Sequence, residues 1–228
     1  MLRGSLPSEM DMRSVFARQL VHENSDARQR ILGASEKLFT ERGLQVTVRE
    51  LAAKAKVSLA AINYYFGSKA GLTQAVFERL SQRVNEQRLI ELDAILRSAG
   101  SKKPSMYDLI GAFLRPYFDS KDNGKLLAKI IVMHRLEPSP LTHLIIDRHF
   151  DPMAQRFVDA FALACPNVSR TAFAWRYAFM ISAIVLTLVN LEDSLVEKVS
   201  KGRVNPRDMK SMSKELTRFL VGGLSIPG

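Results

Sequence analysis

The stretch V57-S-L-A-A-I-N-Y-Y-F-G-S-K69 decides the fold of the first third of this 228-residue chain. It carries no charged side chain before Lys69, although the chain has a formal net charge of +10. Small and aromatic residues stand where a surface helix usually carries lysine and glutamate. Such a segment is either buried or kept bare so that a partner can lie close against it.

Start signals around this stretch place it in a set of short helices. Thr47 and Glu50 have the spacing of a capping box, in which each side chain bonds a backbone N–H of the other residue. Ser58 and Ser68 follow as two further N-caps, and residues 31–39 form the apolar face of a preceding helix. This order predicts a helix-turn-helix, although helical hairpins in plain bundles show a similar pattern.

The rest of the sequence also has helical periodicity, without a strand–turn–strand signal. We therefore predict an all-α fold. Ser25, Ser139 and Ser169 are predicted helix starts, and Gly43 is the predicted end of the first helix. The last helix is predicted to start at residues 205–206 and to end before glycines 222–223, with Phe219 on its inner face. Pro116 and Pro152 are predicted to kink, bend or end their helices. Small and polar residues over 98–105 mark the best candidate boundary. The predicted divisions are an N-terminal arm, 1–24, expected to be flexible; a helix-turn-helix domain, 25–70; a long connecting helix, 71–97; and a larger helical domain, 98–228.

Composition limits the classes of function. The 33 basic and 23 acidic residues leave an excess that makes nucleic acid the first partner to consider. Cys165 is the only cysteine, so nothing indicates disulfides. The first 24 residues lack the apolar core of a signal peptide. The longest apolar run, 177–191, is shorter than the about 20 residues that span a bilayer. We expect a soluble, cytoplasmic protein without a membrane partner.

Signatures of enzymes and metal sites are missing from the sequence. It contains no C-x-x-C, H-E-x-x-H, G-x-S-x-G, G-x-G-x-x-G or P-loop motif. His143 and Asp147 lie four residues apart with His149 nearby, but nothing supplies the rest of a metal site, and a surface hydrogen-bonded pair is the preferred interpretation. We therefore predict that the protein is not an enzyme and has no metal or cofactor.

Two segments, A27-RQRILGASEKLFTERG-43 and T47-VRELAAKAKVSLAAINYYFGSKAGL-72, resemble the DNA-binding domain of the TetR family of bacterial transcriptional regulators. The resemblance rests on the order of the I-L-x-A-x-x-L-F-x-x-x-G, T-V-R-E-L-A, V-S and Y-Y-F-G-S-K motifs. Lys56 departs from it, since the family usually has Gly at this turn, and Tyr65 replaces a common His. The third helix and the P-S-P-L segment at 138–141 also resemble a branch that includes fatty-acid-responsive regulators.

The third helix has two predicted faces. Val57, Ile62 and Phe66 are expected to pack inward, and the opposite face is small and polar enough to enter a major groove, where Asn63 can pair with adenine. Lys69 opposes the dipole of the fourth helix, a cost that a bound phosphate would offset. Together with the family resemblance, this assigns DNA contacts to Thr47, Arg49, Ser58, Ala60, Ala61, Asn63, Tyr64, Tyr65 and Lys69.

The resemblance implies that residues 98–228 bind an effector and form a homodimer. The helix over 174–191 is apolar on nearly all faces, which suits a helix between its own core and a second copy; a fully buried helix of a monomer is the alternative. Tyr117, His134, Arg176 or Arg148 are candidates to hold a polar head group. The candidate pocket residues, each also compatible with an ordinary core position, are Phe113, Tyr117, Met133, His134, Phe157, Trp175 and Phe179.

These observations predict a homodimeric, sequence-specific DNA-binding regulator, a repressor that a small apolar or amphipathic effector releases from a palindromic operator. A carboxylate-bearing acyl chain or acyl thioester suits the aromatic pocket. One alternative is a nucleoid-associated or partner-binding protein without an effector. Another is a helical enzyme or lipid carrier in which the third helix is only structural.

Overall fold

The computed structural model describes the backbone of residues 9–118, 123–189 and 195–227, and side chains within these ranges from Ser25 onward, except at positions 123 and 141. In these ranges the chain forms helices joined by turns and no strand, so the predicted all-α fold is confirmed. The elements are α1 (Glu9–Arg42), α2 (Val48–Ala55), α3 (Leu59–Phe66), α4 (Lys69–Ala99), α5 (Met106–Phe118), α6 (Asn123–Leu136), α7 (Pro140–Ile145), a π-helical turn (Ile146–Phe150), α8 (Asp151–Ala164), α9 (Arg170–Val189), α10 (Leu195–Val199) and α11 (Met209–Ser225).

The first of two compact units spans Met1–Val76. Its core includes Ile31 of α1, Leu51 of α2 and Ile62 of α3, whose side chains are completely buried. Burying a side chain of this size contributes about 1.5–3 kcal/mol relative to exposing it. Helices as short as α2 and α3 are marginal in isolation, so this packing is what holds them in place.

The second unit spans Phe77–Gly228, and the boundary between the units falls inside α4. In the second unit α6 packs on α9, and α11 packs on α5 and α9. The rings of Phe113 and Phe157 meet edge to face in the core, with centroids 5.0 Å apart. The predicted division into a connecting helix over 71–97 and an effector and dimerisation domain over 98–228 stays a prediction.

Side-chain caps start several helices where the sequence predicted them. Ser58 Oγ accepts a hydrogen bond from the backbone N–H of Ala61 at 3.2 Å at the start of α3. Ser169 Oγ accepts one from Ala172 at 3.1 Å at the start of α9. Ser139 caps α7, with a proline in the first turn. These caps satisfy N–H groups that have no partner within the helix, and the predicted starts are confirmed.

Helix α1 begins at Glu9, so its predicted start at Ser25 is wrong. No glycine or proline interrupts residues 9–32, and a single serine of capping type does not end a helix that can continue. The helix ends where predicted, with the N–H of Gly43 bonded to the carbonyl of Phe39 at 2.9 Å. Residues 1–8 lie outside the described residues, and the flexibility of the arm 1–24 stays a prediction.

Helix α11 begins at Met209, so the predicted start at residues 205–206 is wrong. Asp208 is the cap instead, because its carboxylate accepts a hydrogen bond from the N–H of Ser211 at 3.1 Å. The helix also continues through glycines 222–223, where the sequence predicted its end. Phe219, expected on the inner face, is 69% exposed.

Two prolines predicted to kink, bend or end helices lie inside helical segments. Pro116 lies within α5, which continues to Phe118. Pro152 lies in the first turn of α8, where a missing N–H is tolerated. Before it, the N–H of Asp151 bonds the carbonyl of Ile146, five residues back, in the π-helical turn. The break or bend predicted at this proline is a local widening of a continuous helical segment, a feature that is frequent at functional sites.

Helix α9 has one buried and one exposed apolar face. Within the described part of the chain, it is the one helix whose length and composition would allow it to cross a membrane. Its mean hydropathy is 1.8. Phe173 and Ile184 on one face are completely buried. On the other face Trp175 and Phe179 are 64% and 63% exposed. This division is what a helix between its own core and a second protein surface requires.

Lys56 supplies a prediction about stability. It ends α2 with φ 54° and ψ 49°, a left-handed conformation that costs a non-glycine residue about 1 kcal/mol. We expect Lys56→Gly to raise the free energy of opening of α2 and α3 by about 1 kcal/mol. Lys56→Ala, which keeps a β-carbon, should give no comparable gain. Native-state hydrogen exchange of the α2 and α3 amides measures the free energy of opening in both variants. Equal free energies in the two variants would contradict a strained backbone at Lys56.

Candidate nucleic-acid interface and ligand cavity

The exposed face of α3 has the composition of a surface that meets a groove. Ala60 and Asn63 are exposed, and Tyr64 is 76% exposed. Completely buried Ile62 fixes the opposite face against the rest of the unit. Asn63 offers a side-chain amide that can donate to and accept from one base edge, and the alanine allows close approach.

The inward face of α3 is less buried than the sequence predicted. Val57 and Phe66, expected in the core, are both only half-buried. The guanidinium carbon of Arg28 lies 5.4 Å from the centroid of the Phe66 ring. The Arg28 side chain of α1 therefore covers the part of this ring that is not buried in the core. Ile62 alone among the three predicted inward residues is completely buried.

Two adjacent tyrosines lie in the last turn of α3. The rings of Tyr64 and Tyr65 meet edge to face with centroids 5.0 Å apart. Tyr65 is half-buried, so this contact supports the exposed ring of Tyr64 from one side. The phenol of Tyr64 thus projects from a helix end with a rigid neighbour, which suits a hydrogen bond to a phosphate.

The start of α2 holds a carboxylate in a tight network. Glu50 Oε2 accepts hydrogen bonds from the backbone N–H and the hydroxyl of Thr47, each at 2.7 Å. The guanidinium of Arg42 contacts the other oxygen at 2.7 Å. The bond from the Thr47 backbone is the main reason that the pKa of Glu50 falls to about 2. Thr47 and Arg49 are exposed at this helix start.

The Glu50 network predicts a pH dependence. Its folded pKa of about 2 lies below the ordinary 4.5, so the capping box stabilises the fold above pH 4.5 and loses this contribution as the pH falls towards 2. We expect the stability deficit of Glu50→Gln to be largest at neutral pH and to shrink over that interval. Denaturant unfolding at a series of pH values measures it. A deficit that is the same at both ends of the interval would contradict the assignment.

Lys69 has a different partner from the one expected. Its Nζ donates a hydrogen bond to the carbonyl of Leu44 at 2.7 Å, and the side chain is half-buried. This contact offsets the unfavourable position of a cation in the first turn of α4, a role that the sequence assigned to a phosphate. Lys69 therefore ties the loop after α1 to the start of α4, and its remaining donors are what it can offer to DNA.

A cavity of about 210 Å³ lies within the second unit, beside α4, α5, α6, α8 and α9. Phe113, Tyr117 and His134, all predicted to line a pocket, line this one. Its full lining is Arg88, Phe113, Tyr117, Ile131, His134, Arg135, Ile146, Phe150, Asp151, Met153, Ala154, Tyr177 and Ile181. Because the π-helical turn supplies Ile146 and Phe150, the local widening of that helix shapes the cavity wall.

Four other predicted pocket residues do not line this cavity, and their role in ligand binding stays a prediction. Phe157 is completely buried behind Phe113 as an ordinary core residue. Met133 is 42% exposed. Trp175 and Phe179 lie on the exposed face of α9, where their rings stack with centroids 6.0 Å apart. The sequence could not separate these positions, because α9 is apolar on nearly all faces.

Arg88 of α4 is one of the pocket residues that sequence reasoning missed, and its side chain is the one that carries a buried charge. It is completely buried. Its Nε donates to the carbonyl of Phe113 at 3.0 Å and its Nη1 to Asn85 Oδ1 at 2.9 Å. A signal was present: Leu80, Val84 and Leu92 continue a buried stripe at every fourth residue of α4, and the arginine occupies the position between the last two.

The other cations considered for a polar head group are engaged elsewhere. Arg148 lies 4.0 Å from a carboxylate oxygen of Glu78. Arg176 donates to the carbonyl of Leu224 at 2.9 Å, which joins α9 to α11. Neither lines the cavity. His143 Nδ1 lies 3.0 Å from the carbonyl of its own helix cap, and the described residues contain no group of three or more His, Cys, Asp and Glu that could hold a metal.

Two further depressions, of about 250 and 320 Å³, lie along α5. Both are lined by Tyr107, Gly111 and Arg115. They contain none of the predicted pocket residues and no completely buried polar side chain. The smaller cavity around Arg88 is thus the better candidate for a specific ligand, because its lining includes the completely buried guanidinium of Arg88.

Family comparisons match both units. The family model described as "Bacterial regulatory proteins, tetR family" matches residues 31–76. The model described as "Tetracyclin repressor-like, C-terminal domain" matches residues 110–223, half of the chain. The HTH-type transcriptional dual regulator CecR of Shigella flexneri is 27% identical over 136 residues, which are 58% of this chain. The match spans 61% of that relative's length, less than two thirds.

Solved structures share the fold over nearly the whole chain. HlyIIR, a hemolysin II transcriptional regulator, is 16% identical with a TM-score of 0.58, over 89% of this chain and 99% of the other. The fatty acid degradation regulator FadR from Bacillus halodurans is 14% identical with a TM-score of 0.58, over 86% and 95%. At these identities the similarity concerns the fold alone.

Proposed function

This chain belongs to the TetR family of bacterial transcriptional regulators and is a DNA-binding regulator of the helix-turn-helix type, and we propose that it is a homodimeric repressor released from a palindromic operator by a small amphipathic effector. The family's members are regulators and not enzymes. We place its action in the cytoplasm, where the operator is.

The exposed face of α3 supports specific base contacts and is the single observation that carries the proposal. Asn63 reads bases, Ala60 and Ala61 allow the approach, and Tyr64 binds phosphate. Ser58 and Tyr65 flank this face, and Thr47, Arg49 and Lys69 stand at the adjoining helix starts. Phosphate contacts then position α3 and the short uncharged face selects the sequence.

Dimerisation through α9 and α11 is supported by their exposed apolar faces. Trp175 and Phe179 of α9 and Phe219 of α11 are each more than 60% exposed, and α9 packs beside α11. Residues 222–223 of α11 are glycines with open space around them, which lets another helix approach closely. A contiguous apolar face of this kind is unusual on a monomer, and a two-fold axis would bury it against its own copy.

An effector is supported by the cavity in the second unit. One of its walls is α4, the helix that begins directly after α3 and the turn at 67–68. A ligand that binds one position of α4 better than another would shift the population of DNA-competent protein by its differential affinity. FadR of Bacillus halodurans is described as a regulator of fatty acid degradation, which suits an amphipathic effector.

Selection from random duplex DNA with the purified full chain tests this function. We expect enrichment of an inverted repeat, since two α3 helices related by a two-fold axis read two half-sites. Repeating the selection with mixtures of amphipathic small molecules should release the enriched DNA. Recovery of unenriched DNA would contradict the proposal, and enrichment that no small molecule reverses would favour a DNA-binding protein without an effector.

A further inference from the structure

The buried guanidinium of Arg88 is incompletely paired. Two of its nitrogens donate to Phe113 O and Asn85 Oδ1, at 3.0 and 2.9 Å. Among the residues that the structure describes, Nη2 has no hydrogen-bond partner, and no carboxylate oxygen lies within 4.0 Å of the side-chain nitrogens. Since arginine stays protonated in proteins, a full positive charge is buried here without a counter-ion.

Aromatic rings compensate for part of this cost. The guanidinium carbon lies 4.3 Å from the ring centroid of Phe113 and 4.6 Å from that of Tyr117. These contacts favour a cation and fix the plane of the guanidinium, yet they accept no hydrogen bond from Nη2. The arginine is therefore held in a defined orientation with one donor group unused.

A second unused donor lies in the same cavity wall. Tyr117 is 3% exposed, and its hydroxyl has no hydrogen-bond partner within the described part of the chain. Burial raises the pKa of Tyr177, a second tyrosine that lines the cavity. Buried polar groups in native proteins are normally satisfied, and two orphaned donors in one cavity indicate a missing acceptor.

We propose that the cavity binds a small organic monocarboxylate, whose carboxylate accepts hydrogen bonds from Nη2 of Arg88 and the hydroxyl of Tyr117. Ile131, Phe150 and Ile181 give the rest of the lining an apolar character that suits the body of such a molecule. Asp151 also lines the cavity and is exposed, which places it at the solvent side with Arg135. This proposal names the chemical class of the effector. That the bound carboxylate also regulates DNA binding rests on the proposed function.

The test uses the full chain and matched pairs of probes. Straight-chain carboxylates from butanoate to decanoate are each compared with the alcohol of equal length, and inorganic phosphate is measured alone, by calorimetry. We expect at least one carboxylate to bind about tenfold or more tightly than its alcohol, because a charge-assisted hydrogen bond is lost in the alcohol. Equal affinity of acid and alcohol, binding of phosphate only, or no binding by any carboxylate would overturn the assignment.

Two variants separate recognition from folding. Tyr117→Phe removes an unpartnered hydroxyl, so the unliganded chain should keep its unfolding midpoint while the affinity for the carboxylate falls about tenfold. Arg88→Met removes the charge that would pair with the carboxylate, so the preference for acid over alcohol should disappear. Tyr107→Phe, at an exposed tyrosine outside the cavity, is the control. Unchanged carboxylate affinity in Tyr117→Phe and Arg88→Met would overturn the site.

Measuring DNA affinity with and without the bound carboxylate tests separately whether the cavity binds carboxylates and whether that binding regulates DNA binding. Selective carboxylate binding that leaves operator affinity unchanged would support the site and contradict its role as the effector site. Operator binding in a chain that binds none of the carboxylates would contradict the site and leave the DNA-binding function intact.

Discussion

Replacing Asn63 by alanine is expected to remove about 1–3 kcal/mol of the discrimination between the operator and a scrambled duplex. The side chain is exposed on α3, one residue after completely buried Ile62, so its loss leaves the packing of the helix unchanged. Affinity for the scrambled duplex should stay near its original value, because the phosphate contacts remain. Titration of both duplexes at fixed salt measures the effect.

Tyr64→Phe is the companion variant for this face. Removing the hydroxyl that we propose to bind phosphate should weaken binding to the operator and to the scrambled duplex by a similar factor. The matched controls are Asn167→Ala and Tyr107→Phe, which make the same changes at exposed positions outside α3. If the Asn63 variant selects the operator as well as the original chain does, the exposed face of α3 is not the recognition surface.

Placing glutamate at Trp175 is expected to convert the proposed dimer into a monomer. The indole is 64% exposed and stacks on Phe179, on the exposed apolar face of α9. In the proposed dimer two new carboxylates would be buried close to the two-fold axis, at a cost of several kcal/mol. Analytical ultracentrifugation should then give the mass of one chain, and operator affinity should fall because the two half-sites are no longer linked.

Leu163→Glu is the control for this experiment. Leu163 is 58% exposed on α8, outside the face formed by α9 and α11, and its replacement should leave the dimer intact. Phe219→Glu tests the same interface from α11 and should match the Trp175 variant. A Trp175 variant that still sediments as a dimer would contradict the assignment of this face.

The helix-turn-helix could be predicted from local signals, because caps depend on few neighbouring residues. The capping box of Thr47 and Glu50 and the Ser58 cap are present as the sequence indicated. The family resemblance, in which Gly usually stands at the position of Lys56, pointed to the left-handed backbone found there. Local chemistry of this kind does not depend on which distant elements come together.

The ligand cavity could be predicted only in part, because its lining depends on long-range packing. Phe113 and Tyr117 were expected in it, but an aromatic residue in an apolar helix is equally compatible with a core, a pocket or a subunit interface. The sequence therefore could not show that Trp175 and Phe179 lie on an exposed face of α9. Arg88 escaped notice because buried arginine is rare, although a charge within an apolar stripe is itself a sign of a polar site.

The central claim is that this regulator reads a specific DNA sequence, and the ratio of its dissociation constants for the selected operator and a scrambled duplex tests that claim directly. At physiological salt we expect the operator to bind about 10³-fold more tightly or better. Both affinities should fall steeply as salt increases, since each bound phosphate releases counter-ions. Equal affinity for the two duplexes would contradict the account.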